Sequence, residues 1–335
     1  MNRKRLAFSR FVSAALLPKQ RRLALSMTLA VCTLSHADHG PGTSGGGLSI
    51  QSAETLRPTQ FSLELRTDFT EFDDLSTTQL ENRLTKAGSF DSLDHSTVAS
   101  LHASYGVMEN LQIGVTLGYY DAAKPREAEF DAETGTTELL SFDPDGLTDL
   151  WVNGKYRFYR GPMGSFAVIA GAKFPTGKSH VRNSEGERVE PSATAGSGSY
   201  DGLVGVSHSR FLTQRLTGDT SVHYTIRSAA DGFRLGDRID AGLSLAYHFD
   251  KAISYLPRIS AFTELNLRHL FKSEEHSQND PNTGGTVLFL TPGLRGLFTS
   301  NIALTFSAPL PTVQELNGVQ LKTSYKINGA LTYSF

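Results

Sequence analysis

Hydrophobic and polar side chains alternate along most of the chain after residue 58, and the alternation is clearest in the last eleven residues. The apolar face of that stretch consists of Tyr325, Ile327, Gly329, Leu331, Tyr333 and Phe335. Small or polar residues stand between them. Successive side chains of a β-strand point to opposite faces, so this spacing predicts a strand with one apolar face and one polar face. The strand is predicted to run to the terminal aromatic residue.

The same period of two recurs earlier in the chain, most clearly in a hairpin. Residues 99–107 and 111–119 alternate on either side of a short turn at residues 108–110. Further strands are predicted around residues 61–65, 150–158, 166–174, 202–206, 216–226, 239–249, 259–267, 288–294 and 302–306. Within the hairpin the apolar face is large and the other face is small and polar, as expected for lipid outside and a narrow polar interior.

The connections between the predicted strands alternate in length. Long polar loops mostly follow the odd-numbered strands and short turns mostly follow the even-numbered ones. This asymmetry is typical of transmembrane barrels, and strands of about 10 to 13 residues cross a membrane when they are tilted. The sequence therefore predicts an all-β fold, a transmembrane antiparallel up-and-down β-barrel of about 12 strands with short periplasmic turns and long external loops. A soluble β-sandwich has shorter strands and no such alternation of loop lengths.

Composition agrees with a barrel and argues against other classes. The hydrophobic fraction is 39% and the mean hydropathy is −0.24. No apolar run after residue 37 approaches the roughly 20 residues of a spanning helix. Barrels conceal their hydrophobicity by alternating it. The formal net charge of −2 gives no electrostatic reason to expect nucleic acid as a partner.

The first 37 residues have the organisation of a secretory signal peptide. A basic region from Arg3 to Arg22 precedes the apolar run Leu23–Leu34, and Ser35-His36-Ala37 is a small-x-small cleavage pattern. We therefore expect a signal peptide over residues 1–37, a flexible Gly- and Ser-rich leader over 38–58 and a transmembrane β-barrel over 59–335. The capping box at Ser76 and Gln79 predicts a short helix in the first long loop.

A lipoprotein is the alternative for the N-terminus. Leu29–Cys32 is close to a lipid-attachment motif, but Val31 occupies the position where a small residue is needed. Cys32 is the only cysteine. If it leaves with the signal peptide, the mature chain has no thiol chemistry and no disulfide.

The predicted inward faces of three strands carry charged and titratable side chains. They are Asp219, His223 and Arg227 on the seventh strand, Asp240 on the eighth, and Glu264 and Arg268 on the ninth. The expected pairing places Asp240 near Thr225 and Arg268, and so between two arginines of neighbouring strands. This set forms either a salt-bridge network that fills the barrel or a polar path that selects solutes. Further inward cations are predicted at Lys155, Arg157, Lys173 and Lys326.

No motif predicts a catalytic, metal or cofactor site. Asp143, Asp145 and Asp149 lack the spacing and the closing Glu of a calcium loop. His208 and Ser209 invite comparison with barrel phospholipases. Adjacent side chains of a strand point to opposite faces, however, so these two are not expected to form a Ser–His dyad.

Two resemblances extend these expectations. The last strand resembles the C-terminal strand of bacterial outer-membrane barrels, which implies that Tyr333 and Phe335 form a signal for the barrel-assembly machinery. Motifs at strand ends and loop bases are similar to those of the outer-membrane transporter family associated with meta-pathway phenol degradation. These motifs are Tyr105-Gly106-Val107, Gly146-Leu147-Thr148-Asp149-Leu150, Phe174-Pro175-Thr176-Gly177 and Gly196-Ser197-Gly198-Ser199-Tyr200-Asp201. Membership implies a channel for aromatic or other small hydrophobic compounds and supplies no catalytic residues.

The predicted function is that of an outer-membrane channel that admits small molecules, including hydrophobic or aromatic organics, without a chemical step. Its expected partners are outer-membrane lipid, the barrel-assembly machinery and a small-molecule solute. Two alternatives belong to other classes: an outer-membrane hydrolase and a structural or adhesion barrel. A hydrolase of the lipase type requires Ser and His on one outward face near the outer rim, and the sequence places no such pair there.

Overall fold

The computed structural model describes residues 48–73, 79, 89–131, 136–249 and 256–335. The predicted signal peptide, the first part of the predicted leader and most of the predicted helix near Ser76 lie outside these residues. Among the described residues, no helix is long and apolar enough to cross a membrane.

Twelve antiparallel strands form one closed sheet. In chain order they are β1 Phe61–Phe72, β2 His95–Met108, β3 Leu111–Ala123, β4 Leu150–Gly161, β5 Gly164–Phe174, β6 Asp201–Phe211, β7 Leu216–Arg227, β8 Arg238–His248, β9 Arg258–Leu270, β10 Gly285–Leu297, β11 Ile302–Ser307 with Leu310–Leu316, and β12 Thr323–Ser334. Each strand pairs with the next, and β12 pairs with β1. The predicted fold class and strand number are confirmed.

The barrel closes through its terminal strands. The pairing of β1 with β12 runs from Ser62 opposite Ser334 to Phe72 opposite Thr323. Beyond it, the Phe61 amide donates to the Phe335 carbonyl at 2.8 Å and the Phe335 amide donates to the Phe61 carbonyl at 2.9 Å. The two rings stack with centroids 5.6 Å apart. The last residue therefore takes part in the closure, one residue beyond the end of β12.

Alternation along the strands separates an apolar outer face from a polar inner face. On β12, Ile327 and Leu331 are exposed on the outside, whereas Asn328 and Thr332 are buried inside. Most of the other strands follow the same division, with serine and threonine as the commonest inner residues. An outer face of this kind is stable only against lipid, because it leaves large apolar side chains exposed on every side of the barrel.

The two ends of the barrel differ. At one end, called the turn end here, short connections such as the two residues between β2 and β3 join the strands. At the other, the loop end, long connections include residues 124–149 and 175–200. Short strand pairs extend the loop end: Ser89–Ser92 with Arg126–Asp131 and Thr136–Ser141, Phe233–Arg234 with Glu274–Glu275 and Gln278–Asn279, and Gly146–Leu147 with β3. A 3-10 turn spans Pro191–Ala193.

The principal apolar core of the described residues lies at the loop end rather than between layers. It joins strand ends and loops, with Phe72, Tyr120, Phe142, Val189 and Leu321 among its members. Because the barrel interior is polar, the loops bury their apolar side chains against each other across the mouth. The loops thus form a roof over the lumen.

Deleting Phe335 is expected to lower assembly of the barrel several-fold in cells. The change removes the paired amide and carbonyl at Phe61, the ring stack, and the predicted assembly signal. The measurement is the surface yield of the heat-modifiable folded form, with Phe335→Tyr as the matched control that keeps an aromatic end. Unchanged yield and mobility after the deletion contradict the prediction.

Candidate functional site: the lumen and its internal segment

Residues 48–58 lead into the lumen and occupy its turn-end half, and we call them the internal segment. Leu48, Ser52 and Ala53 are fully buried inside the barrel, and Leu56 is nearly so. The Gly/Ser-rich composition alone favoured a flexible leader over residues 38–58. In the part described, residues 48–58, hydrogen bonds to the barrel wall recur along the segment instead.

The inner end of the internal segment is held near the middle of the barrel. The Arg66 Nη1 group donates to the Leu48 carbonyl at 2.8 Å, and the Ser49 amide donates to Glu264 Oε1 at 3.2 Å. Gln51 Oε1 lies 3.1 Å from His223 Nε2. The bonds at Leu48 and Ser49 satisfy backbone groups of the segment that a barrel interior otherwise leaves without partners.

Charged groups hold the segment closer to the turn end. Glu54 forms an ion pair with Arg157 at 2.7 Å and accepts a bond from the Ser165 hydroxyl at 2.7 Å. The Lys155 ammonium donates to the Ser52 carbonyl at 3.2 Å. Lys155 and Arg157 therefore both bind the internal segment and fix its path along the wall.

Two glycines of the wall allow the segment to approach closely. A Cβ atom on Gly106 would lie 2.0 Å from the Arg57 carbonyl oxygen, at the point where the Gly106 amide donates to the Gln60 carbonyl. A Cβ atom on Gly242 would lie 1.9 Å from Ile50 Cδ1. Any larger residue at either position displaces the segment, so these glycines shape the seat in which it lies.

Three of the predicted site residues lie against the internal segment. Glu264 and His223 contact it directly, as described above. Asp219 accepts a short hydrogen bond from the Ser209 hydroxyl, which itself accepts a bond from the Ala53 amide at 2.8 Å. Asp219 thus orients the serine that holds the segment, and all three face inward.

The predicted surroundings of Asp240 are half right. Arg268 lies 2.9 Å from it on β9, as the sequence indicated. The second arginine is Arg238 of the same strand, at 2.5 Å, and not Arg227 of β7. The prediction failed here because the register between β7 and β8 differs by two residues from the predicted one. Asp240 pairs with His223, and Thr225 pairs with Arg238.

Arg227 lies at the loop end of β7, apart from the internal segment. Its side chain is buried, and its cross-strand partner is Asp201. Asp201, however, forms an ion pair with Lys173 at 2.5 Å. The six predicted residues therefore divide into a group at the internal segment and a group nearer the loop end.

Three of the four motifs, those around Asp149, Gly177 and Ser197, converge on one carboxylate. Asp149 Oδ1 accepts from the Gly177 amide at 3.0 Å, and Asp149 Oδ2 accepts from the Ser197 amide at 2.9 Å. Asp149 also lies 3.2 Å from Lys173. A single buried carboxylate thus ties both ends of the connection 175–200 to the start of β4, which explains why these residue types stand at these positions.

The acidic residues near this loop do not share a site. Asp143 pairs with Lys178 at 3.3 Å, and Asp145 accepts from the Ala122 amide at 2.9 Å. Burial raises the pKa of Asp145, and the hydrogen bond from Ala122 opposes that shift. Among the residues that the structure describes, no group of three His, Cys, Asp or Glu side chains is arranged to hold a metal ion.

Two spaces remain in the lumen beside and above the internal segment. The lower space lies along β1 to β5 and has a volume of about 470 Å³, part of which is open to solvent. Its wall includes Gln51, Glu64, His102, Gln112 and Lys155. The other space, which we call the upper cavity, lies under the roof of loops. Its volume is about 500 Å³, and part of it is also open to solvent. Its wall includes Trp151, Lys173, Ser197, Arg227, Leu235 and Arg238.

Sequence reasoning missed the residues of the internal segment and their wall partners. Glu54, Ser209 and Gly242 carry no motif, and each gains its role from a contact more than 100 residues away along the chain. One signal was present: Leu48 and Ile50 alternate with Ser49 and Gln51 before the first predicted strand.

Replacing Glu54→Gln is expected to loosen the internal segment by about 2 kcal/mol, because Arg157 loses a charged partner that no neutral amide replaces. We expect larger or noisier ion currents through the barrel in planar bilayers. The matched control is Thr55→Val, which removes only a neutral bond from the threonine hydroxyl to the Glu109 carbonyl at 2.7 Å. Identical currents from the two variants contradict the role given to Glu54.

The closed sheet, the apolar outer face and the polar, partly filled lumen together define a transmembrane β-barrel of the outer-membrane type. Comparison with known protein families agrees with this class and identifies a family within it. Residues 82–322 match the family model described as "Putative MetA-pathway of phenol degradation", and the chain belongs to this family. None of the curated proteins matches the chain in sequence.

One solved structure has the same fold at low sequence identity, and others are similar to a lesser degree. The crystal structure of the COG4313 outer membrane channel from Pseudomonas putida F1 superposes with a TM-score of 0.58 at 11% identity, covering 84% of this chain and 98% of that one. The KdgM porin in complex with disordered oligogalacturonate gives 0.43 at 9% identity, covering 82% and 99%. LpxR from Salmonella typhimurium gives 0.43 at 12% identity, covering 81% and 99%.

Proposed function

We propose that the protein is a channel of the bacterial outer membrane that admits small molecules through its lumen without a chemical step. The observation that carries this proposal is the pair of polar spaces beside and above the internal segment. A barrel built only as a scaffold has no need of interior space lined by charged groups, since packed side chains fill it at lower cost.

The proposed location follows from the outer face and from the two ends of the chain. An apolar band on every strand fits outer-membrane lipid. A signal peptide over residues 1–37, cleaved after Ala37, would deliver the chain to the periplasm. Tyr333 and Phe335, which are exposed on the outer face of β12, would then engage the barrel-assembly machinery.

The proposed cargo is a small organic molecule, with aromatic or other hydrophobic compounds as the favoured class. The family's description supports this choice, because it places its members beside a pathway that degrades phenol. The solute path would pass the charged inner residues Asp219, His223, Arg227, Asp240, Glu264 and Arg268. Their side chains would then select solutes as well as balance each other.

A hydrolase is the alternative, and one cluster bears on it. His102 lies 2.9 Å from the Ser100 hydroxyl and 3.0 Å from the Thr116 hydroxyl, all inside the lumen. These hydroxyls occupy both ring nitrogens, whereas a nucleophilic serine needs a histidine whose other nitrogen is oriented by an acidic group. His208 and Ser209 are separated, since His208 stacks on Phe166 on the outer face. We therefore assign Ser100 and His102 to the wall of the lumen.

The test is conductance in planar bilayers together with uptake of phenol-sized solutes into liposomes. We expect small but measurable currents and uptake from the purified chain, and growth on an aromatic carbon source restored in a deletion strain that carries it. Absence of current and uptake, both in the full chain and after removal of the internal segment, would rule out a channel. Ester or lipid hydrolysis that is lost in Ser100→Ala would favour the hydrolase.

A further inference from the structure

The upper cavity contains a buried cation whose charge the surrounding protein does not balance. Arg227 is 6% exposed, and its side chain lines the cavity. Among the described residues, none accepts a hydrogen bond from its Nε group or lies within ion-pair distance of its guanidinium. The backbone at this point is fixed, because the Arg227 amide donates to Asp237 at 2.9 Å and the Arg227 carbonyl accepts from Arg234 at 3.0 Å.

The acidic groups nearby already have partners. Asp201 pairs with Lys173 at 2.5 Å and also accepts from the Ser199 hydroxyl at 2.9 Å. Asp240 is shared by Arg238 at 2.5 Å and Arg268 at 2.9 Å. Neither carboxylate is therefore available to pair closely with Arg227.

The local charge balance is positive. The cations that line the cavity are Lys173, Arg227 and Arg238, and the carboxylates that line it are Asp149 and Asp201. Three positive charges against two negative ones leave one in excess within the lining. A buried charge without a partner is costly, so an anion that enters the cavity gains the interaction that the protein leaves unmade.

The shape and lining of the cavity restrict which anion fits. A guanidinium presents parallel N–H groups that match the two oxygens of a carboxylate. Trp151 and Leu235 add apolar surface to the same wall, and Ser192 and Thr194 add hydroxyl groups. This combination of one charged anchor, a few polar groups and an apolar surface suits a molecule with an acidic head and a hydrophobic body.

We propose that the upper cavity is a binding site for small carboxylates with an apolar or aromatic body, in which Arg227 binds the carboxylate and Trp151 contacts the body. This proposal deepens the proposed function and rests on it, because it names the class of solute that the channel selects. The site lies at the loop end, on the outer side of the internal segment, where a solute from outside the cell arrives first.

Trp151 is the only tryptophan in the sequence, so its fluorescence reports on this cavity alone. The probes are cyclohexanecarboxylate and its neutral isostere cyclohexanecarboxamide, which do not absorb where tryptophan does. Each is titrated into the folded full chain in neutral detergent at constant ionic strength. We expect a saturable change with the carboxylate and an affinity for the carboxamide that is lower by about tenfold or more, the usual effect of losing a charged hydrogen bond.

Arg227→Gln should abolish the preference for the carboxylate. Arg295→Gln, which changes a buried lumen arginine at the turn end, should leave it unchanged. Heat-modifiable mobility shows whether each variant is folded. If Arg227→Gln does not fold, the comparison of the two probes in the unaltered chain decides the question alone.

Three results would overturn the proposal: equal affinities for the two probes, a preference that survives in folded Arg227→Gln, or displacement of the carboxylate by chloride at equal concentration. Uptake into liposomes, measured on the same preparation, separates this proposal from the channel itself. Uptake without a preference for the carboxylate contradicts the site and leaves the channel standing. Selective binding without uptake, even after the internal segment is removed, contradicts the channel and leaves the site standing.

Discussion

A chain that begins at Thr59 is expected to form a barrel with a several-fold larger single-channel conductance than a chain that begins at Asp38. The internal segment occupies the turn-end half of the lumen, and no strand pair of the barrel depends on it. Its removal also takes away Glu54, the carboxylate that forms an ion pair with Arg157. The enlarged pore should therefore prefer anions.

Both chains can be refolded in detergent and compared in planar bilayers, so that the result does not depend on export. Heat-modifiable mobility serves as the control for folding. Equal conductance in the two barrels would show that the segment does not restrict the lumen. An enlarged pore that prefers cations would contradict the part given to Arg157.

Arginine substitutions on the outer face of β9 are expected to destabilise the barrel in proportion to their depth in the membrane. Leu265→Arg places a charge near the middle of the strand and should cost about 2–4 kcal/mol, whereas Ile259→Arg at the turn end should cost about 0–1 kcal/mol. Both residues are about half exposed on the same face, so the pair is matched in all but depth.

The measurement is the free energy of unfolding of barrels in lipid vesicles, obtained from titrations with denaturant. A soluble barrel would tolerate arginine equally at both positions, since each side chain already lies at the surface. Equal costs for Leu265→Arg and Ile259→Arg would therefore contradict a membrane-facing outer surface.

The strands were predictable because one physical rule governs them. A period of two survives errors in strand boundaries, and β12 shows why: Ile327 and Asn328 lie on opposite faces wherever the strand begins. The same rule explains the partial success at Asp240. The predicted register was wrong by two residues, which changes the neighbour from Thr225 to His223 but leaves the inward face unchanged.

The internal segment was not predictable from local sequence. Its stability comes from contacts with wall residues such as Gln112, Ser209 and Glu264, which lie 56 to 215 residues from their partners. Composition describes only the cost of ordering such a segment, and that cost is offset here by hydrogen bonds that exist only after the barrel has closed. Long-range pairing of this kind leaves no local pattern.

The residues at the loop end show a second reason why part of the site could not be predicted from the sequence. The motifs around Asp149, Gly177 and Ser197 were recognisable, but their shared contact depends on how the neighbouring connections 124–149 and 175–200 fold against each other. The unbalanced charge at Arg227 also depends on the folded structure, because Asp201, its cross-strand neighbour, forms its ion pair with Lys173. Charge counting along the sequence gives a net value of −2 and does not reveal a local excess of the opposite sign.

The central claim, that alternate residues of the closed sheet face lipid and lumen, is tested most directly by spin labels on β12 in lipid vesicles. Single labels are placed through Ile327→Cys, Asn328→Cys, Leu331→Cys and Thr332→Cys in a chain that starts after Cys32. We predict that labels at 327 and 331 collide with oxygen dissolved in the lipid, and that labels at 328 and 332 are shielded from it. Equal collision rates at all four positions would contradict the barrel described here.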